Sequence, residues 1–228
     1  MINMNVPSGL ESNNLEFSFA HRFYGPVDKD TGDTFMGTDT GANVGIGLRY
    51  NAWKILEARA SRTTENKEYN LALSLTQPEP FMFLRAGLDA NYINFSKPDN
   101  TRDRGWYIQI DIETEKFFRI KPAVNAGYDL YNRRIGLALG LNIEVIEGLN
   151  LIGEYYPVIN VHNNNSRSID AIGIGPVYAL GIMLTAGYHH FVIQVCNNSA
   201  IGTRRLMEGT EEKKELYLGF NIQRLFQL

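Results

Sequence analysis

The segment ELYLGFNIQRLF, residues 215–226, alternates apolar and polar side chains along most of its length. The apolar positions are Leu216, Leu218, Phe220 and Ile222, and the positions between them carry Tyr217, Gly219, Asn221 and Gln223. Because successive side chains of an extended strand point to opposite faces, this pattern predicts a β-strand with one apolar and one polar side.

Similar alternating runs recur about a dozen times in the 228 residues, which leaves little chain for helices. The short connections between them fall at 51–54, 77–80, 114–118, 146–148 and 186–187. The alternate connections fall at 24–39, 64–66, 95–103, Asn132, 158–167 and 198–213, and most of these are longer and polar. Short turns at one end and long loops at the other are typical of an up-and-down barrel of the bacterial outer membrane. We therefore expect an all-β protein, a closed antiparallel transmembrane β-barrel of about 12 strands, with both termini on the periplasmic side.

Composition supports a single domain. No linker rich in Pro, Gly or Ser divides the chain, so we expect a barrel over 14–228 and an N-terminal periplasmic segment over 1–13. A net charge of −3 gives no reason to expect nucleic acid as a partner, and the single cysteine, Cys196, excludes an internal disulfide. The first 14 residues contain no apolar core of a signal peptide, so we expect a mature form from which that peptide has been removed.

Residues 171–195 contain no charged side chain and are numerous enough for a transmembrane helix. Gly173, Gly175, Pro176, Gly181 and Gly187 interrupt the segment, and glycine and proline are costly inside helices. Apolar residues also fall at strict even spacing from 172 to 184. The segment therefore predicts two strands joined by a tight turn at 186–187.

Alternation alone does not distinguish a membrane barrel from a soluble barrel or a two-sheet sandwich. A soluble barrel of twelve strands would leave an interior too wide for one layer of apolar side chains, because barrel diameter grows with strand number. Aromatic residues also cluster near the strand ends, as in the girdles of membrane barrels. These are Phe23, Tyr24, Tyr92, Trp106, Tyr131 and Tyr155 at the loop end, and Tyr50, Trp53, Phe81, Phe117, Phe118, Tyr188 and Phe226 at the turn end. The membrane barrel is favoured, and the sandwich is the soluble alternative.

Three motifs carry a resemblance to a family: FAHRF at 19–23, GIGLRY at 45–50 and GFNIQRLF at 219–226. With the full-length pattern, they resemble an uncharacterised family of bacterial outer-membrane β-barrel proteins, classified as a domain of unknown function. The resemblance implies the barrel fold and a location in the bacterial outer membrane, and it supplies no catalytic residues.

The polar faces of the predicted strands carry charges of both signs. The candidate lumen-lining residues are Arg22, Arg49, Glu57, Arg59, Glu68, Arg85, Asp89, Asp111, Glu113, Lys121, Asp129, Glu144, Glu154 and Gln194. Cross-strand ion pairs would fill the lumen, whereas segregated charges would leave a water-filled channel. We expect a narrow water-filled path, with the acidic excess weakly favouring cations.

Catalysis and metal binding have weaker signals. His190 and Cys196 are six residues apart on one strand, roughly 20 Å, too far for a catalytic pair. A phospholipase-like barrel would need Ser and His on its lipid-facing side near an Asn, and His189 is the histidine that we expect there. The weak candidate for a Ca²⁺ site is Asp28, Asp30, Asp33 and Asp39, although their order departs from that of an EF-hand loop.

The sequence therefore predicts a passive, porin-like channel for small hydrophilic solutes, with no cofactor and no enzymatic activity. The alternative is a non-conducting barrel that anchors or completes an outer-membrane or cell-surface complex through its loops at 24–39 and 198–213. A lipid-active barrel enzyme is a third hypothesis. In each case the lipid bilayer is a partner, and other outer-membrane proteins are partners in the second.

Overall fold

A computed structural model describes residues 1–7, 13–29, 32–97, 99–159, 174–211 and 214–228. Twelve antiparallel strands form one closed barrel in which each strand pairs with its neighbours in sequence and β1 pairs with β12. The strands are β1 Asn14–Pro26, β2 Ala42–Trp53, β3 Leu56–Thr63, β4 Tyr69–Thr76, β5 Leu84–Ser96, β6 Arg102–Thr114, β7 Ile120–Asp129, β8 Arg134–Ile146, β9 Leu149–Tyr156, β10 Val177–Ala186, β11 His189–Cys196 and β12 Tyr217–Gln227. The predicted fold class is confirmed.

The two ends of the barrel differ as the sequence predicts. Short connections join β2 to β3, β8 to β9 and β10 to β11, and we call the end that carries them the turn end. The opposite, loop end carries the connection of residues 27–41 and the one between β11 and β12, which includes the one-turn helix α1, Thr203–Leu206. The β4–β5 connection is longer than expected and runs from residue 77 to residue 83, closed by a bridge between Phe81 and Leu84.

Strand β4 shows which face is turned outward. Leu71, Leu73 and Leu75 are 56%, 59% and 53% exposed, whereas Ala72 and Ser74 between them are 7% and 2% exposed. The outer surface of the barrel is therefore apolar and the small or polar positions point inward, which is the arrangement of a barrel surrounded by lipid. Large exposed aromatic side chains mark both ends, among them Trp106 at the loop end and Trp53 and Phe118 at the turn end.

The uncharged segment forms two strands, as predicted. Strands β10 and β11 pair with each other and with β9 and β12, and Gly187 makes their turn with a φ of +59°. A positive φ of this size is readily adopted by glycine, which explains why this residue stands at the turn. Residues 171–173 of the segment lie outside the described residues. No helix in the described part of the chain has the length and apolar character needed to cross a bilayer.

The interior of the barrel holds two pieces of the chain. The first is the plug segment, residues 1–7, and the second is the inner loop, residues 200–208, which contains α1. Together they form an apolar core with the inward side of β8–β11. Its buried members include Ile2, Met4, Ala138, Ile152, Tyr156, Val177, Ala179, Val192, Cys196, Ala200 and Leu206. A twelve-stranded wall alone leaves this space unfilled, so the chain fills part of it with its own segments.

The plug segment is most of the described part of the predicted N-terminal segment 1–13. Residues 1–7 lie inside the barrel, because Ile2 and Met4 bury their side chains in the apolar core and their backbone N–H groups bond to Glu154. Residues 8–12 lie outside the described residues.

Candidate functional site

The predicted lumen residues lie on the inner wall of the barrel. They divide into a buried group and a partly exposed group. Those at 9% exposure or less are Arg22, Glu57, Glu68, Asp89, Asp111, Glu113, Asp129, Glu154 and Gln194. Those that keep more exposure are Arg49, Arg59, Arg85, Lys121 and Glu144. Of the second group, Arg85 and Glu144 pair at the turn end with Glu115 and Lys116 of the β6–β7 turn.

Ion pairs between side chains of the wall hold several of these charges. Arg49 Nε lies 2.6 Å from Glu57 Oε2, and Arg59 bonds to Asp89 while its Nε lies 3.7 Å from Glu57. Lys121 lies 2.8 Å from Glu113. The walls therefore show the paired arrangement rather than two segregated ladders of opposite charge.

Glu154 holds the plug segment. Its Oε1 accepts from the backbone N–H groups of Ile2, Asn3 and Met4 at 2.6, 2.9 and 3.1 Å, and Tyr156 Oη donates to its Oε2 at 2.9 Å. Three consecutive N–H groups converging on one carboxylate help to satisfy a buried negative charge. This carboxylate therefore acts as an anchor within the barrel rather than as part of an open wall.

Asparagine side chains of the plug segment reach the opposite walls. Asn3 Oδ1 accepts from Arg22 Nη2 at 2.9 Å, and Asn5 Nδ2 donates to Asp89 at 3.1 Å. Gln194, oriented with its carbonyl oxygen toward Arg22, accepts from Nη1 at 3.0 Å. The apolar side chains of the segment therefore lie toward the β8–β11 core, and its asparagines reach charged side chains of the wall.

The inner loop is held by two arginines of α1. Arg204 Nη2 lies 2.8 Å from Glu68 on the connection before β4, and its Nη1 lies 2.8 Å from Asp129 at the end of β7. Arg205 also reaches Glu68, at 2.9 Å, and Glu208. Thr203 Oγ1 donates to the Asn3 carbonyl at 2.8 Å, which joins the inner loop to the plug segment. One guanidinium therefore bridges two separate parts of the wall.

The inner loop packs closely against strand β8 at Gly136. A Cβ added to Gly136 would collide with the side chain of Met207, which in turn lies 3.0 Å from Tyr107 Oη. Glycine at this position leaves the space that Met207 occupies, so the wall here is shaped to the loop.

A cavity of about 450 Å³ remains on the β1–β6 side of the lumen. Its lining extends from Glu16 and Gln223 toward the turn end to Thr63 and Arg205 toward the loop end, with the plug segment forming one side. Only Arg49, Arg59 and Glu68 of the predicted lumen residues line it. The buried candidates are covered by the plug segment, by the inner loop or by one another, and Arg85, Lys121 and Glu144 lie outside this cavity.

Sequence reasoning missed Arg204, Arg205 and the plug segment as parts of the interior. A signal for each is present. Ile2, Met4 and Val6 alternate with Asn3 and Asn5, and the long β11–β12 connection contains the apolar residues Ile201, Leu206 and Met207. Large apolar side chains are among the residues most often buried, so these two stretches were candidates for packing inside the protein.

The described histidines lie on strands of the barrel wall. His189 lies opposite Ala186 and Arg224, and His190 lies opposite Gln223 and bonds to Thr185. His21 lies on the outer face and stacks on Phe220 with ring centroids 5.0 Å apart. Cys196 is buried and lies opposite Tyr217 and Ala179.

The acidic loop gives no metal centre in the described residues. Asp28, Asp33 and Asp39 are exposed, and Asp30 lies outside the described part of the chain. Throughout the described ranges, no group of three or more His, Cys, Asp or Glu side chains is arranged to hold a metal ion.

Solved structures with a similar fold are outer-membrane barrels. The KdgM porin has a TM-score of 0.59 and 4% identity, over 93% of this chain and 99% of that one. The outer membrane phospholipase A of Escherichia coli has a TM-score of 0.54 and 9% identity, over 96% and 95%. The NanC porin has a TM-score of 0.53 and 8% identity, over 94% and 100%. At these identities the similarity shows the fold alone, and it includes both porins and an enzyme.

Among curated proteins, no sequence matches the chain. A family described as a membrane-bound beta barrel domain (DUF5777) matches residues 1–77 and 123–226, more than half of the chain. The match includes the plug segment and ten of the twelve strands at least in part, and it agrees with the apolar outer surface of the closed barrel. The chain therefore belongs to this family of membrane-bound beta barrel domains, DUF5777.

Proposed function

We propose that this barrel is a passive channel for small hydrophilic solutes in the bacterial outer membrane. The observation that carries the proposal is the cavity on the β1–β6 side, whose lining extends from near the turn end to the loop end. Its volume of about 450 Å³ lies in the range of about 300–1,000 Å³ that holds small molecules in proteins. The path is narrow because the plug segment and the inner loop occupy the β8–β11 side.

The similarity to porins supports the channel. KdgM and NanC are both porins, and one structure of KdgM is a complex with disordered oligogalacturonate. Amides and hydroxyls in the cavity, such as those of Asn70, Asn91 and Thr203, offer hydrogen bonds to a polar solute. No step in this proposal requires a cofactor or a catalytic residue.

Single-channel conductance of the refolded protein in a planar bilayer tests the proposal. We expect small, steady conductance steps from the native chain. Replacing Ser61, which lines the cavity, by Trp should lower the conductance because the indole enters the path. The matched control is Ala58→Trp, three residues away on the lipid-facing side of β3, and it should conduct like the native protein. If Ser61→Trp and Ala58→Trp conduct equally, the ions do not pass through this cavity.

A second function is favoured by the filled half of the lumen. A barrel whose interior is packed with its own segments can serve as a non-conducting anchor or subunit of an outer-membrane complex. Its partner surface would include exposed side chains of the connection between β1 and β2, such as Asp28, Phe35 and Asp39, since residues 200–208 of the other predicted loop fold inward. A protein that inserts and shifts mobility on heating in gels, yet passes no current, would favour this function over the channel.

A further inference from the structure

We infer that the cavity prefers small anions, specifically solutes that carry a carboxylate or phosphate group. This inference rests on the proposed channel function and names the class of solute that would cross it. The net charge of the wall residues is acidic and would predict a preference for cations. The inference differs because selectivity depends on which partner of each ion pair faces the cavity.

Arginines dominate the charged lining of the cavity. Its arginines are Arg49, Arg59, Arg62, Arg204 and Arg205, whereas the acidic residues that line it in the described chain are Glu16 and Glu68. Arg62 is directed to the outer surface, where its guanidinium lies over the ring of Tyr69. Four guanidinium groups therefore remain for the lumen.

In three ion pairs beside the cavity the arginine is the more exposed partner, whereas in the Arg204–Glu68 pair the two side chains are 8% and 11% exposed. The side chain of Arg49 is 21% exposed while that of its partner Glu57 is 6% exposed. The same order holds for Arg59 and Asp89, at 19% and 3%, and for Arg205 and Glu68, at 21% and 11%. Neither Glu57 nor Asp89 lines the cavity.

A solute in the cavity consequently meets more guanidinium groups than carboxylates, because Glu16 and Glu68 line the cavity while Glu57 and Asp89 lie behind Arg49 and Arg59. Coulomb interaction weakens with distance and is screened by water and salt, so the charges nearest to the path have the greatest effect on an ion within it. Guanidinium groups bind carboxylate and phosphate oxygens through paired N–H donors, which makes these the anionic groups that the lining recognises best.

The test is the reversal potential of single channels in a potassium chloride gradient, repeated with potassium acetate. We expect anion preference for the native protein in both salts. The variant Arg49→Gln/Arg205→Gln removes two charges that face the cavity, and each neighbouring acid keeps a second arginine, Arg59 for Glu57 and Arg204 for Glu68. Its anion-to-cation permeability ratio should fall by about threefold, the scale set by unit charges near contact distance in screened water.

The matched control is Lys29→Gln/Lys97→Gln, which removes the same charge from exposed positions at the loop end. It should leave the ratio of the native protein unchanged. Conductance with cation preference would overturn the inference and leave the channel standing. An equal fall in the control would also overturn it, because the selectivity would then follow net charge. A folded barrel without conductance would overturn the channel itself, and the inference with it.

Discussion

At the scale of single residues, Glu154 links the plug segment to the barrel wall. Replacing Glu154 by Ala would leave the buried N–H groups of Ile2 and Met4, and the partly buried one of Asn3, without this acceptor. An unsatisfied buried polar group costs about 1–3 kcal/mol, so we expect the free energy of unfolding to fall by at least that amount. Urea unfolding of the barrel in detergent, followed by tryptophan fluorescence, measures the change.

The control variant for Glu154→Ala is Glu144→Ala. Glu144 also faces inward by alternation, but it forms a partly exposed pair with Lys116 at the turn end, and such pairs contribute about 0–1 kcal/mol. Equal losses for the two variants would contradict the anchoring role of Glu154. The two glutamates look alike in the sequence, since each stands on the polar side of an alternating strand. Their difference comes from the plug segment, which is distant from both in sequence, and local alternation carries no information about it.

At the scale of elements, strands β10 and β11 explain why residues 171–195 are uncharged. Leu180, Ile182 and Ile193 are exposed on the outer face, whereas Val177, Ala179 and Val192 are buried against the core inside the barrel. Strands that are covered by apolar surroundings on both faces read as continuous apolar runs. The two strands were predicted correctly from the sequence. Their inward-facing positions carry few polar side chains, and this indicates that they pack against an apolar interior.

The packed side and the hollow side of the lumen should respond differently to the same new side chain. In Val192→Asn an amide enters the apolar core, at a cost of about 1–3 kcal/mol for a polar group buried without a hydrogen bond. In Ser18→Asn the amide enters the cavity, where water can solvate it. We expect a lower midpoint of thermal unfolding for the first variant and little change for the second. If both are tolerated, the β8–β11 side is hydrated rather than packed.

At the scale of the whole molecule, the barrel is divided into a filled half and a hollow half. The wall could be predicted from the sequence because alternation, turn lengths and the aromatic ends are all local patterns. The contents of the lumen could not, because the contacts of Ile2 with Asn221 and of Thr203 with Asn3 join residues about 200 positions apart. A count of charged wall residues consequently overestimated the open surface, since only Arg49, Arg59 and Glu68 of those candidates reach the cavity.

This division predicts that the plug segment limits the conductance. Ile2→Asp/Met4→Asp places two carboxylates in the apolar core, and unpaired buried charges are costly enough to expel the segment from it. The twelve strands keep their pairing, so we expect an unchanged β-sheet signal in circular dichroism together with larger conductance steps. As a control, Tyr178→Asp/Leu180→Asn would alter the outer face of β10 and should affect insertion rather than step size. Native step size in the plug variant, with its strands intact, would mean that the path along β1–β6 is bounded by the wall and the inner loop alone.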